Sequence, residues 1–184
     1  MGRLKALLPW QGTTLIQYQL QSLRNAGADP VIVVLGHQAE AVRPVVTNSA
    51  GVRIVVNDRY REGKTTSIKL GLGQVPTDAD GVVLLAVDQP RPWPLVAALV
   101  QMFRENRALI TQPTFAGHRG HPMIFRADLL PELAAITEQT QGIKPVVDRN
   151  RGQALLVPVD SPIVLLDLNT QADYQRALEL WREL

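Results

Sequence analysis

Two segments, far apart in the chain, end in oxygen donors. In VVLLAVDQP, Val82 to Pro90, Asp88 follows six apolar residues, so its carboxylate marks the point where a buried strand gives way to solvent. Open α/β sheets bind ligands there, beyond the carboxyl ends of their strands. Asp88 reads either as a Mg²⁺ ligand or as a solvated turn residue ahead of Pro90. Near the C-terminus, LLDLNTQADY places Asp167 and Asn169 two residues apart, and on an extended segment both face the same side. Hard oxygen donors suit Mg²⁺, which takes one or two carboxylates together with substrate phosphates. The competing reading makes Asn169 or Thr170 the N-cap of a closing helix, an account that serves Thr170 better than it serves Asp167.

Three other segments carry candidate groups. The opening MGRLKALLPWQGTTLIQYQL sets Lys5 ahead of a proline-closed apolar run, as in a basic phosphate-binding loop, yet no strand stands in front to position it. The stretch REGKTTS resembles the end of a Walker loop, but that pattern needs glycine five residues before Gly63 and the residue there is Asp58. A Walker site is rejected. A helix start rich in Thr and Ser still offers free N–H groups to an anionic or carbonyl-bearing ligand, so Ser67 is either a nucleotide contact or an ordinary cap. GHRGHP holds His118 and His121, and its glycines and proline make it a loop. That favours a polar substrate loop over a metal site. His37 receives no role.

These residues need a scaffold, and the composition supplies one. A chain of 184 residues, 46% apolar and 20% charged, reads as one domain (1–184) with a substantial core. A net charge of +2 without a basic block argues against nucleic acid. The absence of cysteine excludes disulfides, thiolate zinc sites and iron–sulfur clusters, and fits a cytoplasmic setting. Pro9 spoils LKALLPW as a signal-peptide core, and the longest apolar run, Val82 to Val87, is far short of the roughly 20 residues that cross a bilayer.

The order of elements follows from periodicity. Thr13–Ala26 reads as a helix, Pro30–Gly36 as a strand, Gln38–Val46 as a helix, Val52–Asp58 as a strand and Lys64–Gln74 as a helix. A strand ending at Asp88, a helix over 94–106 and an extended segment over 108–115 follow. The remainder gives a short strand at HPMIF, a helix over 128–138, strands at ALLVPV and IVLLDL, and a last helix opened by Thr170. Alternating short strands and helices predict an α/β, Rossmann-like fold, a mostly parallel sheet with helices on both faces. One irregularity stands out. A doubly wound unit begins with a strand that usually lies centrally, and here the first strand is missing.

Taken together, MGRLKALLP, NDRYREGKTTSIKLGL, LLAVDQP, GHRGHPMIF and LLDLNTQADY resemble, in order, the motifs of MobA-like nucleotidyltransferases. Within that superfamily they are most similar to molybdenum cofactor cytidylyltransferases. The resemblance implies a Mg²⁺-dependent transfer of CMP from CTP to a molybdopterin-type acceptor, with a molybdoenzyme receiving the product. It implies Lys5 on the nucleotide phosphates, Asn57 and Ser67 near the base, and Asp88 as metal ligand with Asp167 and Asn169 as the second metal position. Gly120, His121 and Pro122 would lie beside the acceptor. Asn169 stands where an acid is common, and GKTT replaces a more usual Met-Ser-Ser run. Met1 coincides with the methionine of the family's R-M-G, so the glycine-rich loop and its strand are expected to be absent, leaving two interior strands short of a neighbour. A start placed one methionine late and a chain that has lost catalysis both fit that expectation. GTP- or sugar-phosphate-using transfer and a cofactor-binding remnant are the alternatives.

Overall fold

The computed structural model describes residues 4–47 and 51–182. Met1, Gly2 and Arg3 of the opening motif, and the last two residues of the predicted closing helix, lie outside them. The first described features are a 3₁₀ turn at Lys5–Leu7 and a hairpin of two short strands, β1 (Pro9–Trp10) and β2 (Thr13–Thr14). Thr14 then caps α1 (Leu15–Asn25) through a capping box with Gln17, each satisfying a free N–H of the other. Next come β3 (Val31–Leu35), α2 (Ala39–Val46), β4 (Val52–Val56), α3 (Lys64–Leu72), β5 (Gly81–Leu84) and α4 (Trp93–Asn106).

The second half is built from β6 (Ile110–Phe115), β7 (His118–Arg119), β8 (Met123–Arg126), α5 (Leu130–Ala134), α6 (Lys144–Arg149), β9 (Ala154–Pro158) and α7 (Gln171–Arg182). The six-residue α6 has no counterpart in the sequence reading, because Pro145 and a charged tail hide its short apolar stripe. The predicted strand at IVLLDL is instead a 3₁₀ turn, Pro162–Leu165. Its apolar run carries no alternation because Ile163 and Val164 are both buried against the N-terminal hairpin. The expected helix over 128–138 is helical only to Ala134.

Helices cover the sheet on both faces, as expected, and the sheet itself is mixed. β3 and β4 pair in parallel, as do β6 and β9, whereas β8 runs antiparallel to both β5 and β6. The antiparallel turn arises because β6 returns through a hairpin rather than a helix. Along β8, Met123 and Phe125 pack toward α5 and α6 while Ile124 packs toward α4, the period-two alternation of a strand covered on both sides.

Among the described residues the strands form two separate pieces, β3–β4 and a five-stranded group headed by β5. No described strand pairs with the second edge of β3 or of β5. Helices span the division: α1 packs on β3 and on α4, and α3 packs on β3 and on α5. The predicted strand into Asp88 also ends early, at Leu84, which leaves Asp88 in the loop beyond it.

Candidate active site

Lys5 sits in the 3₁₀ turn rather than at the end of a strand: Leu4, Ala6 and Leu7 pack that turn against the core of β3 and α2, and aromatic packing anchors the hairpin that follows. Trp10 is 1% exposed and meets the Trp181 ring edge-on at 4.9 Å between centroids, with Tyr18 and Tyr174 around it. The Tyr174 hydroxyl donates to the Pro9 carbonyl, and the Trp181 indole donates to the Tyr18 hydroxyl at 3.1 Å. These contacts tie the opening hairpin to α7. Asn169 lies just ahead of α7, whose first turn is capped by Thr170 and Asp173 in reciprocal hydrogen bonds. Thr170 therefore takes the cap, and the Asn169 side chain is left for other work.

The loop that bears Asp88 is gripped by α1. Gln19 donates from Nε2 to the carbonyls of Ala86 and Gln89, and its Oε1 accepts from the Arg91 N–H. Ser22 donates to the Arg91 carbonyl at 2.7 Å. Both residues occupy the buried stripe of α1, where two polar side chains on an otherwise apolar face are the sequence's sign of a polar task. The Leu168 N–H donates to the Asp88 carbonyl at 2.8 Å, which joins the two oxygen-bearing turns directly.

At their meeting point the Lys5 ammonium donates to Asp88 Oδ2 at 2.8 Å and to Asn169 Oδ1 at 3.0 Å. The ion pair is about a quarter to a third exposed. Three of the predicted residues thus converge on one point. Asp167 does not join them, because its Oδ1 accepts from Gln89 Nε2 at 2.7 Å. The segment is not a plain extended strand, since the Asn169 N–H bonds back to the Asp167 carbonyl, and that turn sends the two side chains to different partners.

Arg91, which the sequence reading passed over, is the buried hub. It is 0% exposed, and its guanidinium donates to the carbonyls of His121, Pro90, Val164 and Leu166. Burial lowers it to about 10, offset in part by the charges of Asp167 and Asp88. One side chain therefore joins the Asp88 loop, the 120–122 segment and the turn before Asp167. The planar five-donor fork of arginine can serve such a set of acceptors.

Gly120, His121 and Pro122 reach the site through that hub. Gly120 donates to the Pro113 carbonyl and continues the β6–β7 ladder. His121 and the buried Pro122 link β7 to β8, and the His121 N–H is taken by the Val164 carbonyl at 2.8 Å. Burial and the Arg91 charge lower the His121 ring below its ordinary value. His118 sits exposed in β7, so the two histidines do not form a pair on one helical face.

Asn57 and Ser67 stand apart from the lysine cluster. Asn57 is buried, donates to Thr66 Oγ1 and Ser67 Oγ at 2.8 Å each, and accepts from the Arg59 N–H. Its amide pins the start of α3 to the end of β4, beside a cleft of about 750 Å³ that Arg59, Lys69 and Glu138 also line. The first turn of α3 does not present all its N–H groups to solvent, since Thr65 donates to Glu138 Oε1 at 2.7 Å. That bond pulls the Glu138 carboxyl below its usual range.

A divalent cation is tested by the donor set. Among the described residues no three His, Cys, Asp or Glu side chains converge. What converges is one carboxylate and one amide oxygen, already sharing a cation in the Lys5 ammonium. That set is too thin for a protein cage and fits Mg²⁺, which keeps water and draws its other oxygens from substrate phosphates.

Known proteins resemble this chain in sequence and in fold. Residues 1–155 match the model of the MobA-like NTP transferase domain. Over its whole length the chain is 26% identical to the molybdenum cofactor cytidylyltransferase of Escherichia coli strain K12, covering 92% of that protein. It is 29% identical over 154 residues to the nicotine blue oxidoreductase of Paenarthrobacter nicotinovorans, covering 76% of this chain and 71% of that one. The crystal structure of Rv0371c from Mycobacterium tuberculosis H37Rv, in complex with manganese, superposes with a TM-score of 0.82 at 32% identity, covering 97% of this chain and 93% of that one. The chain belongs to the MobA-like NTP transferase family.

Proposed function

We propose that the chain is a Mg²⁺-dependent nucleotidyltransferase that moves CMP from CTP to a phosphorylated, molybdopterin-type acceptor in the cytoplasm, for delivery to a molybdoenzyme. A terminal phosphate oxygen of the acceptor attacks the α-phosphorus of CTP. A new P–O bond forms as the bond to the bridging oxygen breaks, and pyrophosphate leaves. The observation that carries this reading is the convergence of Lys5, Asp88 and Asn169 on a chain of this family.

The protein's part in such a reaction is positioning and charge neutralisation. Lys5 would balance the triphosphate. Asp88 and Asn169 would hold the metal, with Asp167 behind them on Gln89. A bound Mg²⁺ would serve as Lewis acid and template for the phosphoryl oxygens. Arg91 fixes the backbone on which His121 and Pro122 face the acceptor, and Asn57 with Ser67 shapes the base side. The likeness to the E. coli cytidylyltransferase supports CTP over GTP or a sugar-phosphate system, and thermal-shift titration with CTP, GTP and UTP plus Mg²⁺ separates them.

Pyrophosphate release from CTP and molybdopterin cofactor is the direct test. Asp88→Ala should abolish it in a chain that keeps its circular dichroism spectrum; unchanged turnover would remove Asp88 from the site. That no described strand pairs with the second edge of β3 or of β5 favours a second reading, in which this chain binds cofactor without transferring. Binding with no pyrophosphate from the wild-type chain would select it.

A further inference from the structure

Within the site read above as a nucleotidyl-transfer centre, Lys5 takes both convergent oxygens for itself. Its ammonium holds Asp88 Oδ2 and Asn169 Oδ1 together, and Asp88 has no other side-chain partner among the described residues. The formal charges around it already cancel: Lys5 and Arg91 contribute two positive charges, Asp88 and Asp167 two negative ones. A divalent cation arriving alone would meet a balanced site whose oxygens are bonded, with Arg91 fixed behind them by four carbonyls. Lys5 differs from Arg91 in that it is part-exposed on a flexible stem. It is the one of the two cations able to leave.

We propose that the Lys5 ammonium is the resident cation of the site and competes with the divalent metal for Asp88 and Asn169. The metal then enters efficiently only when nucleotide phosphates give Lys5 a new anionic partner. Lysine and metal exchange places, and the nucleotide supplies the charge that keeps the exchanged state neutral. This proposal rests on the transferase reading for the identity of the site but is tested apart from it.

The test uses the 184-residue chain, aqueous Mn²⁺ followed by electron paramagnetic resonance, and α,β-methylene CTP as a nucleotide that cannot react. Lys5→Met should bind Mn²⁺ at least fivefold more tightly than wild type in the absence of nucleotide. Lys5→Arg and the remote Lys69→Met should show no such gain, which separates competition from general charge. Asp88→Asn should erase the gain in the Lys5→Met background. The methylene analogue should tighten Mn²⁺ binding by at least fivefold in wild type and by much less in Lys5→Met. A second readout follows Lys5 itself: its acetylation by acetic anhydride, measured by mass spectrometry against Lys69 in the same sample, should rise at least threefold on saturation with Mn²⁺. Equal Mn²⁺ affinity in wild type and Lys5→Met, or unchanged Lys5 acetylation at saturating Mn²⁺, overturns the exchange. A chain that passes these tests but releases no pyrophosphate keeps the exchange and loses the transferase reading. A chain that turns over but fails them does the reverse.

Discussion

The Asp88 carboxylate and the Asn169 amide, 81 positions apart in the chain, share the Lys5 ammonium at 2.8 and 3.0 Å. The Leu168 N–H locks the two turns together at the Asp88 carbonyl. Because Asn169 is neutral, the lysine balances one carboxylate rather than two. Asn169→Asp should therefore tighten Mn²⁺ binding, by about tenfold after discounting a charge pair near 4 Å for its partial exposure. Titration of the variant against wild type at fixed ionic strength measures this directly, and a weaker metal affinity would remove position 169 from the metal's surroundings.

Arg91 carries the next prediction. Replacing it with Met leaves the carbonyls of His121, Pro90 and Leu166 without this donor and Val164 with the His121 N–H alone, and it leaves Asp88 and Asp167 without their buried counter-charge. Breaking a buried charge cluster from one side costs about 3–5 kcal/mol, so Arg91→Met should lower the denaturation midpoint strongly. Arg91→Lys keeps the charge but has at most three donors at one point. It should recover part of the loss. Urea unfolding of both variants checks the order, and equal stability of the two would show that charge alone accounts for the residue.

Much of this site was legible in the sequence, and the reasons differ residue by residue. Motif order and residue chemistry, which need no knowledge of packing, single out Lys5, Asp88 and Asn169, and the structure brings these three side chains together. Asp167 was assigned to the same cation on period-two spacing, an argument that fails where the 167–169 backbone turns on itself. Arg91 and Gln19 were missed. A buried arginine between prolines looks like any charged loop residue until four carbonyls are seen to meet there, and Gln19 looks like an interruption of an amphipathic helix. The sequence of strands and helices through α4 was legible from their alternation, whereas the antiparallel course of β8 depended on the hairpin at Ala116–Gly117, which a parallel pattern does not anticipate.

The aromatic anchor of the N-terminal segment makes a third prediction. Trp181 packs against Trp10 and donates to Tyr18, and burial raises the Tyr18 hydroxyl above its usual value. Trp181→Ala should cost about 3–5 kcal/mol, the usual range for emptying a buried tryptophan site. In the surviving folded fraction it should also loosen the hairpin ahead of α1. Hydrogen exchange at the Leu15 N–H, which donates to the Leu8 carbonyl, should accelerate well beyond exchange in β6. Parallel changes at both places would mean global destabilisation alone.

Gly120 is set by close approach rather than by dihedral freedom. A Cβ there would lie 2.4 Å from the Val164 carbonyl oxygen, which is backbone and cannot swing aside, while a Cβ at Gly117 would meet nothing within 4 Å. Gly120→Ala should therefore push the 120–122 segment off Val164 at a cost of about 1–3 kcal/mol. Gly117→Ala should cost about 1–2 kcal/mol, from its positive φ alone. The two differ more clearly in function: Gly120→Ala should raise KM for the acceptor without a matching change for CTP, and Gly117→Ala should leave both near wild type. Matching kinetic effects from the pair would detach the 120–122 segment from the acceptor side.

His121 supplies a pH dependence whose sign is fixed by its surroundings. Burial first, and the Arg91 charge second, hold its ring below the ordinary value of 6.5. Above that value the ring is neutral in folded and unfolded chains, and the full stability is present. As pH falls below it, the unfolded chain takes up the proton first, so stability is lost until the pH passes the lowered folded value. The main-chain groups of His121 make the bonds to Arg91 and Val164, so His121→Gln keeps them and removes only the titration. The wild-type minus variant difference in Tm should shift against wild type between about pH 7 and pH 5. A difference that stays flat across that range would show that the ring takes up its proton as readily in the folded chain as in the unfolded one.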